Sequence, residues 1–300
     1  MSTACAPATA RSADPSEQRP DHFLVGLIGE GIQLSRSPAL HETEGAALGL
    51  KVHYRIIDLE RLGRGPEALP ELLAAAELTG FAGLNITHPC KQAVLPLLDE
   101  LSDAARAIGA VNTVVFRNGR RIGHNTDASG FAEGLRRGLP DAPMTRVVLV
   151  GAGGAGAAVG YAALELGAGH LTVFDRDGER AAALVDRLCS HFGPLRASAS
   201  TDLAAALAPA DGLIHSTPLG MASHPGTAVP AALLRPALWV AEVVYFPLET
   251  ELLRTARALG CRTVDGGGMA TFQASGAFAW FTGIEPDRER MRAHFLSMLD

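Results

Sequence analysis

Between Arg146 and Asp175 the chain reads R-V-V-L-V-G-A-G-G-A-G-A-A-V-G-Y-A-A-L-E-L-G-A-G-H-L-T-V-F-D. The β-branched apolar run Val147 to Val150 has the pattern of a buried strand, and it stops at Gly151. Gly153 and Gly156 follow at the spacing of a dinucleotide-binding turn. An Ala-rich helical stretch comes next, and a second apolar run, Leu171 to Phe174, ends in Asp175. Gly151 allows the tight turn, Gly153 lets the backbone approach a pyrophosphate, and Gly156 lets the new helix pack close to the strand. The helix start offers unpaired N–H groups and a positive dipole end to phosphates. Asp175 stands where a carboxylate accepts hydrogen bonds from ribose hydroxyls and repels a 2′-phosphate, which points to NAD rather than NADP. Glycines at this spacing are a weak signal alone. Strand, glycines, helix, strand and acid in register are a strong one against the plainer reading, a ligand-free Gly/Ala packing turn.

A chain of 300 residues exceeds what one core usually holds, so two domains are expected. Hydrophobic residues make up 47% and aromatic ones 5%, an aliphatic, Ala-rich composition suited to closely packed α/β layers. The formal charge is −6 with no basic block, which argues against nucleic acid and anionic membrane surfaces as partners. Cys5, Cys90, Cys189 and Cys261 are scattered, as in reduced thiols of a cytoplasmic protein. No apolar run reaches membrane-spanning length. Residues 1–21, rich in Ala, Ser, Pro and charge, read as a disordered tail.

Strand–helix alternation fills residues 22–128, with an antiparallel edge. Strands are expected over Phe23–Gly29, Val52–Asp58 and Phe81–Thr87, with helices starting at Ser37-Pro38, serine as the cap, and at Pro70. Ala110–Phe116 and Arg121–Asn125 flank a polar hairpin turn. A helix, Phe131–Leu139, leads into a doubly wound parallel sheet over 129–269, with later strands at Arg196–Ser200, Gly212–Thr217, Trp239–Tyr245 and Arg262–Asp265. Two helices, Ala270–Phe281 and Pro286–Leu299, occupy 270–300.

A nucleotide site does not specify a reaction; the first block supplies candidates. N-I-T-H-P-C-K, Asn85 to Lys91, lies at the C-terminal end of an expected strand, where open α/β sheets bind ligands. Asn85 and Thr87 alternate with Ile86 and so share one face. Lys91 follows a proline turn into a helix start. The positive helix end and burial disfavour the charged amine, and such a lysine can exchange a proton with an alcohol near neutral pH. The competing reading is a solvated surface lysine. Asn112 sits in A-V-N-T and Asn125 and Asp127 in H-N-T-D. Asp127 is either the cap of the following helix or the partner that holds Lys91. Ser35 and Ser37, in S-R-S-P, suit a small carboxylate near a helix start. Tyr245, Gly268, Met269 and Gln273 can close the site. His41, His88, His124 and His215 make no metal-ligand pattern, and His88 and His124 are the two expected to line the cleft.

The ordered set S-x-S-P, N-I-T-x-P-x-K, G-A-V-N-T, N-T-D, G-A-G-G-A and D-G-x-G-M, with a glutamine four residues after the Met, resembles the shikimate and quinate dehydrogenases from about residue 23 onward. The resemblance implies a substrate domain, a Rossmann domain and C-terminal helices that cross back. It implies Lys91 as proton-transfer residue with Asp127 as partner. Ser35, Ser37, Thr87, Asn112, Asp127, Tyr245 and Gln273 are implied as substrate contacts, with Asn85 supporting them. Gly151, Ala152, Gly153, Gly154, Ala155 and Gly156 are implied as cofactor contacts, with Asp175, Val243, Gly268 and Met269. Biosynthetic members carry N-R-T where this chain has Asp175-Arg176-Asp177; the acid favours NAD, and Arg176 leaves some use of NADP open. H-P-C-K-Q and E-V-V-Y resemble the NAD-linked quinate/shikimate branch, although Ser37 stands where quinate-active relatives carry threonine. The implied reaction is reversible, metal-free oxidation of a ring alcohol of shikimate or quinate by a cytoplasmic monomer or homodimer. A NADP-linked biosynthetic or aminoshikimate-type relative is an alternative. So are a methylenetetrahydrofolate dehydrogenase, which would not require S-x-S-P together with N-T-D, and a non-catalytic NAD or quinate sensor, against which Lys91 and Asp127 speak.

Overall fold

A computed structural model describes residues 20–299; most of the expected N-terminal tail, Cys5 included, lies outside them. Among the described residues, twelve strands form two six-stranded sheets. The first contains β1 (His22–Gly29), β2 (Lys51–Asp58), β3 (Gly83–Ile86), β4 (Glu100–Leu101), β5 (Thr113–Arg117) and β6 (Arg120–His124), in the order β2-β1-β3-β5-β6-β4. The second contains β7 (Arg146–Val150), β8 (His170–Phe174), β9 (Ala197–Ser200), β10 (Gly212–His215), β11 (Trp239–Glu242) and β12 (Thr263–Val264). It is parallel throughout, in the order β12-β11-β10-β7-β8-β9. The order in which strands are added reverses at β7, the switch point at which such sheets open a ligand crevice.

The helices are α1 (Ser37–Ala47), α2 (Leu59–Leu62), α3 (Leu69–Leu78), α4 (Cys90–Ala93), α5 (Asp103–Ile108), α6 (Thr126–Gly138), α7 (Gly154–Glu165), α8 (Gly178–Phe192), α9 (Leu203–Leu207), α10 (Glu251–Ala258), α11 (Gly267–Thr282) and α12 (Arg288–Ser297). Asn118 and Gly119 both have positive φ, 54° and 69°, the conformation of a two-residue hairpin turn between β5 and β6.

Several expectations need correction. The antiparallel strand is interior rather than at an edge. β5 runs against both β3 and β6, and the two-residue β4, too short to show in a pattern, adds outside β6. The helix before the second sheet begins at Thr126, five residues earlier than its apolar face suggested, because Asn125 caps it by accepting the Ala128 N–H at 3.2 Å. Ser37 is the first helical residue, not the cap; the cap position is Arg36 and no side chain bonds there. The strand expected to reach Tyr245 ends at Glu242, so Tyr245 stands on the loop beyond it.

The second sheet's core joins both blocks. Val147, Leu149, Leu171, Val173 and Ile214 pack with α7, α8 and residues of α6, and Ile108 and Ala110 enter the same cluster. The turn before α7 needs its glycines. Gly151 has φ +105°, and a β-carbon on Gly156 would stand 2.0 Å from the Gly151 carbonyl oxygen. Helix α11 packs against α6 so closely that a β-carbon on Gly130 would meet the Gln273 backbone N at 2.6 Å. Its far end returns to the first sheet, where Phe278 and Phe281 pack with Phe23, Val25, Leu27 and Tyr54. Each such ring buried contributes about 1.5–3 kcal/mol.

Candidate active site

Lys91 and Asp127 come from different parts of the first block and meet. Lys91 Nζ lies 2.5 Å from Asp127 Oδ2. Strand β3 ends at Ile86, and the turn through Pro89 delivers Lys91 into the one-turn helix α4. Asp127 is free to make this contact because Asn125 caps α6 in its place. Its other oxygen, Oδ1, accepts from Asn112 Nδ2 at 3.0 Å. Asn112 is itself held: Oδ1 accepts the Thr126 N–H at 2.7 Å, and Nδ2 also reaches Thr126 Oγ1 at 2.9 Å. The amine therefore has a fixed partner in a carboxylate that is 6% exposed and oriented by a buried amide. A lysine so placed can take or return a proton at a defined point.

The two sheets converge here. Lys91 Cδ lies 3.6 Å from where a β-carbon on Gly154 would stand, so the amine stem rests against the start of α7. No side chain caps α7, which leaves the N–H groups of its first turn for an anion. A β-carbon on Gly153 would have nothing within 4 Å, so the backbone there is open to a close approach. Asp175, at the end of β8, accepts the Ala152 N–H at 2.7 Å through Oδ2 and the Asp177 N–H at 2.9 Å through Oδ1. Both bonds aim its carboxylate over the turn. These residues fit a dinucleotide: bare helix N–H groups for phosphates, an open glycine backbone, and a fixed acid with lone pairs to spare for ribose hydroxyls. Among the described residues no cluster of His, Cys, Asp and Glu could hold a metal ion.

Of the remaining candidates, Asn85 is buried: its amide donates to the Asn112 carbonyl and to Thr113 Oγ1 and accepts the Tyr54 hydroxyl at 2.8 Å. Ser35 Oγ accepts the Ser37 N–H at 3.3 Å, and Ser37 stands beside the Tyr54 hydroxyl, whose pKa burial raises and Ser37 partly lowers. Tyr245 keeps 43% of its surface open, while the protein crowded around it, and then the Asp127 charge, raise its pKa. Thr87, Val243 and Gly268 are half-buried and Met269 is buried; the Gln273 amide bonds the Ala270 carbonyl at 3.1 Å. Arg176 is exposed. Tyr54 and Thr126 belong to the network and were not singled out from the sequence. The available signal for Tyr54 was a lone hydroxyl among β2 positions that alternate inward with Val52.

His88 is exposed. His124 is buried and stacks on Trp280 with ring centroids 3.7 Å apart, so of the two histidines expected in the cleft this one is covered by an aromatic ring. Burial lowers its pKa to about 4, helped by Arg117, and burial against Tyr54, Phe278 and Phe281 lowers that of His41 to about 3. The fold thus favours both neutral rings. Their contribution is fully present above the unfolded value of 6.5 and is lost as pH falls below it, because the unfolded chain takes up protons that the folded one refuses. At about 1.36 kcal/mol per unit, several kcal/mol disappear by pH ~4. The urea midpoint should fall steadily between pH ~6.5 and pH ~4, and His124→Gln should flatten part of that slope. An equally steep slope in the variant would refute the assignment.

A glycine turn at a parallel sheet's switch point, facing a Lys–Asp pair from a second sheet, defines a two-domain pyridine-nucleotide dehydrogenase. Comparison with known proteins gives the family. Residues 27–114 match the shikimate dehydrogenase substrate binding domain. A shikimate dehydrogenase (NADP(+)) of Streptomyces avermitilis is 63% identical over 275 residues, 91% of this chain and 94% of the relative. A quinate/shikimate dehydrogenase (NAD(+)) of Corynebacterium efficiens is 56% identical over 282 residues, 93% of this chain and 99% of the relative. The solved quinate dehydrogenase from Corynebacterium glutamicum in complex with NAD superimposes with a TM-score of 0.87 at 51% identity, covering 92% of this chain and 99% of that one. The chain belongs to the shikimate dehydrogenase family.

Proposed function

We propose that this chain catalyses the reversible oxidation of a ring secondary alcohol of shikimate, quinate or both to the ketone, with NAD as the preferred acceptor. The contact between Lys91 and Asp127 at 2.5 Å, set against the start of α7, is the observation that supports it most. Residues 22–128 form the substrate part and 129–269 the cofactor part, and the C-terminal helices beyond them pack on the first sheet through Phe278 and Phe281 as well as on α6. Lys91 accepts the alcohol proton in oxidation and returns it in reduction. Asp127 orients the amine and balances its charge, and Asn112 fixes Asp127. A nicotinamide cofactor bound there would supply the hydride acceptor, and Gly151 to Gly156, Asp175, Val243, Gly268 and Met269 would hold it. Ser35, Ser37 and Tyr245 anchor the carboxylate of the acid; Asn85, Thr87 and Gln273 complete the site around the ring. No helix among the described residues is long and apolar enough to cross a membrane, and we read the chain as a cytoplasmic monomer or homodimer. Formation of NADH, followed by absorbance with NAD and either acid, tests the proposal, and absence of turnover on both would overturn it. A non-catalytic sensor would bind NAD and still give no turnover.

The carboxylate anchors are neutral donors, individually weaker than an arginine fork but adaptable to two ring shapes. Ser37 lacks the methyl of threonine, leaving room for the extra hydroxyl of quinate on the carbon that bears the carboxylate. Ser37→Thr should change the quinate-to-shikimate ratio of kcat/KM by about tenfold, the effect of one methyl in a tight pocket. NAD binding should change little. Steady-state kinetics on both acids measures this, and an unchanged ratio removes Ser37 from the specificity argument.

A further inference from the structure

Two ionisable side chains with no exposed surface stand at the carboxyl ends of neighbouring strands, outside the residues assigned above: His215 ends β10 and Glu242 ends β11. Glu242 gathers four hydrogen bonds. Oε1 accepts from His215 Nδ1 at 2.8 Å, from the Val243 N–H at 2.9 Å and from the Val244 N–H at 3.1 Å, and Oε2 accepts the Thr250 hydroxyl at 3.0 Å. Across the imidazole, His215 Nε2 lies 2.6 Å from Thr217 Oγ1, which in turn accepts the Leu219 N–H at 3.3 Å. Among the described residues the Thr217 hydroxyl proton has one acceptor, His215 Nε2. A Thr217 hydroxyl that donates to Nε2 leaves Nδ1 as the nitrogen that carries the ring proton toward Glu242. All four contacts are donors matched to the lone pairs of a carboxylate held away from water, where a charge is weakly screened.

The sheet order says what this charge faces. Asp175 follows β8 on one side of β7, and β10 and β11 lie on the other. A dinucleotide with its adenosine ribose at Asp175 and its pyrophosphate on the turn after β7 extends its nicotinamide over the ends of β10 and β11. Tyr245, three residues after Glu242, stands near enough to Asp127 to feel its charge, so this strand end opens toward the site proposed above. On the opposite wall stand Lys91 and Asp127, in contact with each other. We propose that Glu242, held by His215, sets the redox preference of the cofactor site. Its charge attracts the cationic nicotinamide of NAD+ and leaves the neutral ring of NADH unaffected, favouring the oxidised form. The inference rests on the NAD site proposed above.

Calorimetric dissociation constants of NAD+ and NADH for the full chain, Glu242→Gln and Glu242→Asp test it. The ratio Kd(NAD+)/Kd(NADH) should rise about threefold to tenfold in Glu242→Gln, as expected for loss of a unit charge several ångströms from the ring. It should stay within about twofold in Glu242→Asp, which keeps the charge. A purely structural role would weaken both forms in proportion and leave the ratio alone. An unchanged ratio in Glu242→Gln, or an equal rise in Glu242→Asp, overturns the proposal with the NAD site intact, whereas wild type binding neither form overturns both. Should Glu242→Gln not fold, the double variant His215→Asn/Glu242→Gln keeps a donor facing an acceptor without charge, and the same rise is expected of it.

Discussion

Lys91→Ala is expected to lower kcat by about a hundredfold to ten-thousandfold, the usual contribution of a positioned general acid–base group. Lys91 is the one amine at the proposed reaction point, and its partner is fixed from behind by Asn112 and Thr126. Oxidation of the alcohol needs a proton acceptor at the moment hydride leaves, and alanine supplies none. Substrate KM should change less than kcat, because the amine acts mainly in the transition state. Stability should not fall through a buried, unpaired Asp127, since its Oδ1 keeps the Asn112 bond and the shortened side chain leaves room for water at Oδ2. Removing the other partner should be less severe: Asp127→Asn leaves Lys91 in reach of a neutral acceptor but loses the charge balance. Steady-state kinetics with a urea titration separates the effects. A stable Lys91→Ala enzyme with near wild-type kcat would falsify the assignment.

The second sheet was legible in the sequence because its central strands carry apolar runs and Gly151 and Gly156 sit where only glycine fits. Gly156, whose β-carbon would collide with the Gly151 carbonyl, could be read from spacing alone. The first sheet was less legible. β4 has two residues, and one interior strand runs against its neighbours, a matter of long-range pairing that no local pattern records. At the site, Lys91, Asn112 and Asp127 were visible as polar residues at strand ends. What could not be read was which asparagine or aspartate would cap α6. Asn125 and Asp127 both suit the role, and the choice depends on Asp127 being drawn to Lys91 across 36 positions of sequence. The buried pair of His215 and Glu242 escaped for a similar reason. Each residue alone looks like a strand end, and only the adjacency of β10 and β11 joins them.

Asp175 is expected to make NAD the better cofactor by at least about tenfold in kcat/KM. Relatives do not decide the matter, since a shikimate dehydrogenase at 63% identity carries NADP(+) in its name and a quinate/shikimate dehydrogenase at 56% carries NAD(+). The local geometry favours NAD. The Ala152 and Asp177 N–H groups pin the Asp175 carboxylate at 2.7 and 2.9 Å, so it cannot swing away from an approaching ribose. An ionised carboxylate has about four acceptor positions, and these bonds use two. Ribose hydroxyls can take the others, at roughly 1.5–3 kcal/mol for each charge-assisted bond. A 2′-phosphate would bring about −1.5 to −2 charges against a fixed anion while removing one of the donors. Arg176, the one counter-argument, is exposed to solvent, where attraction to a phosphate is weakened by water and salt. Asp175→Asn should narrow the NAD/NADP ratio by lowering activity with NAD and raising it with NADP, and Asp175→Ser should do so further by shortening the side chain. The comparison is kcat/KM for both cofactors under one saturating acid at one ionic strength. Equal or better use of NADP by the wild-type chain would mean that Arg176 outweighs the carboxylate, and the reading of Asp175 would then fall.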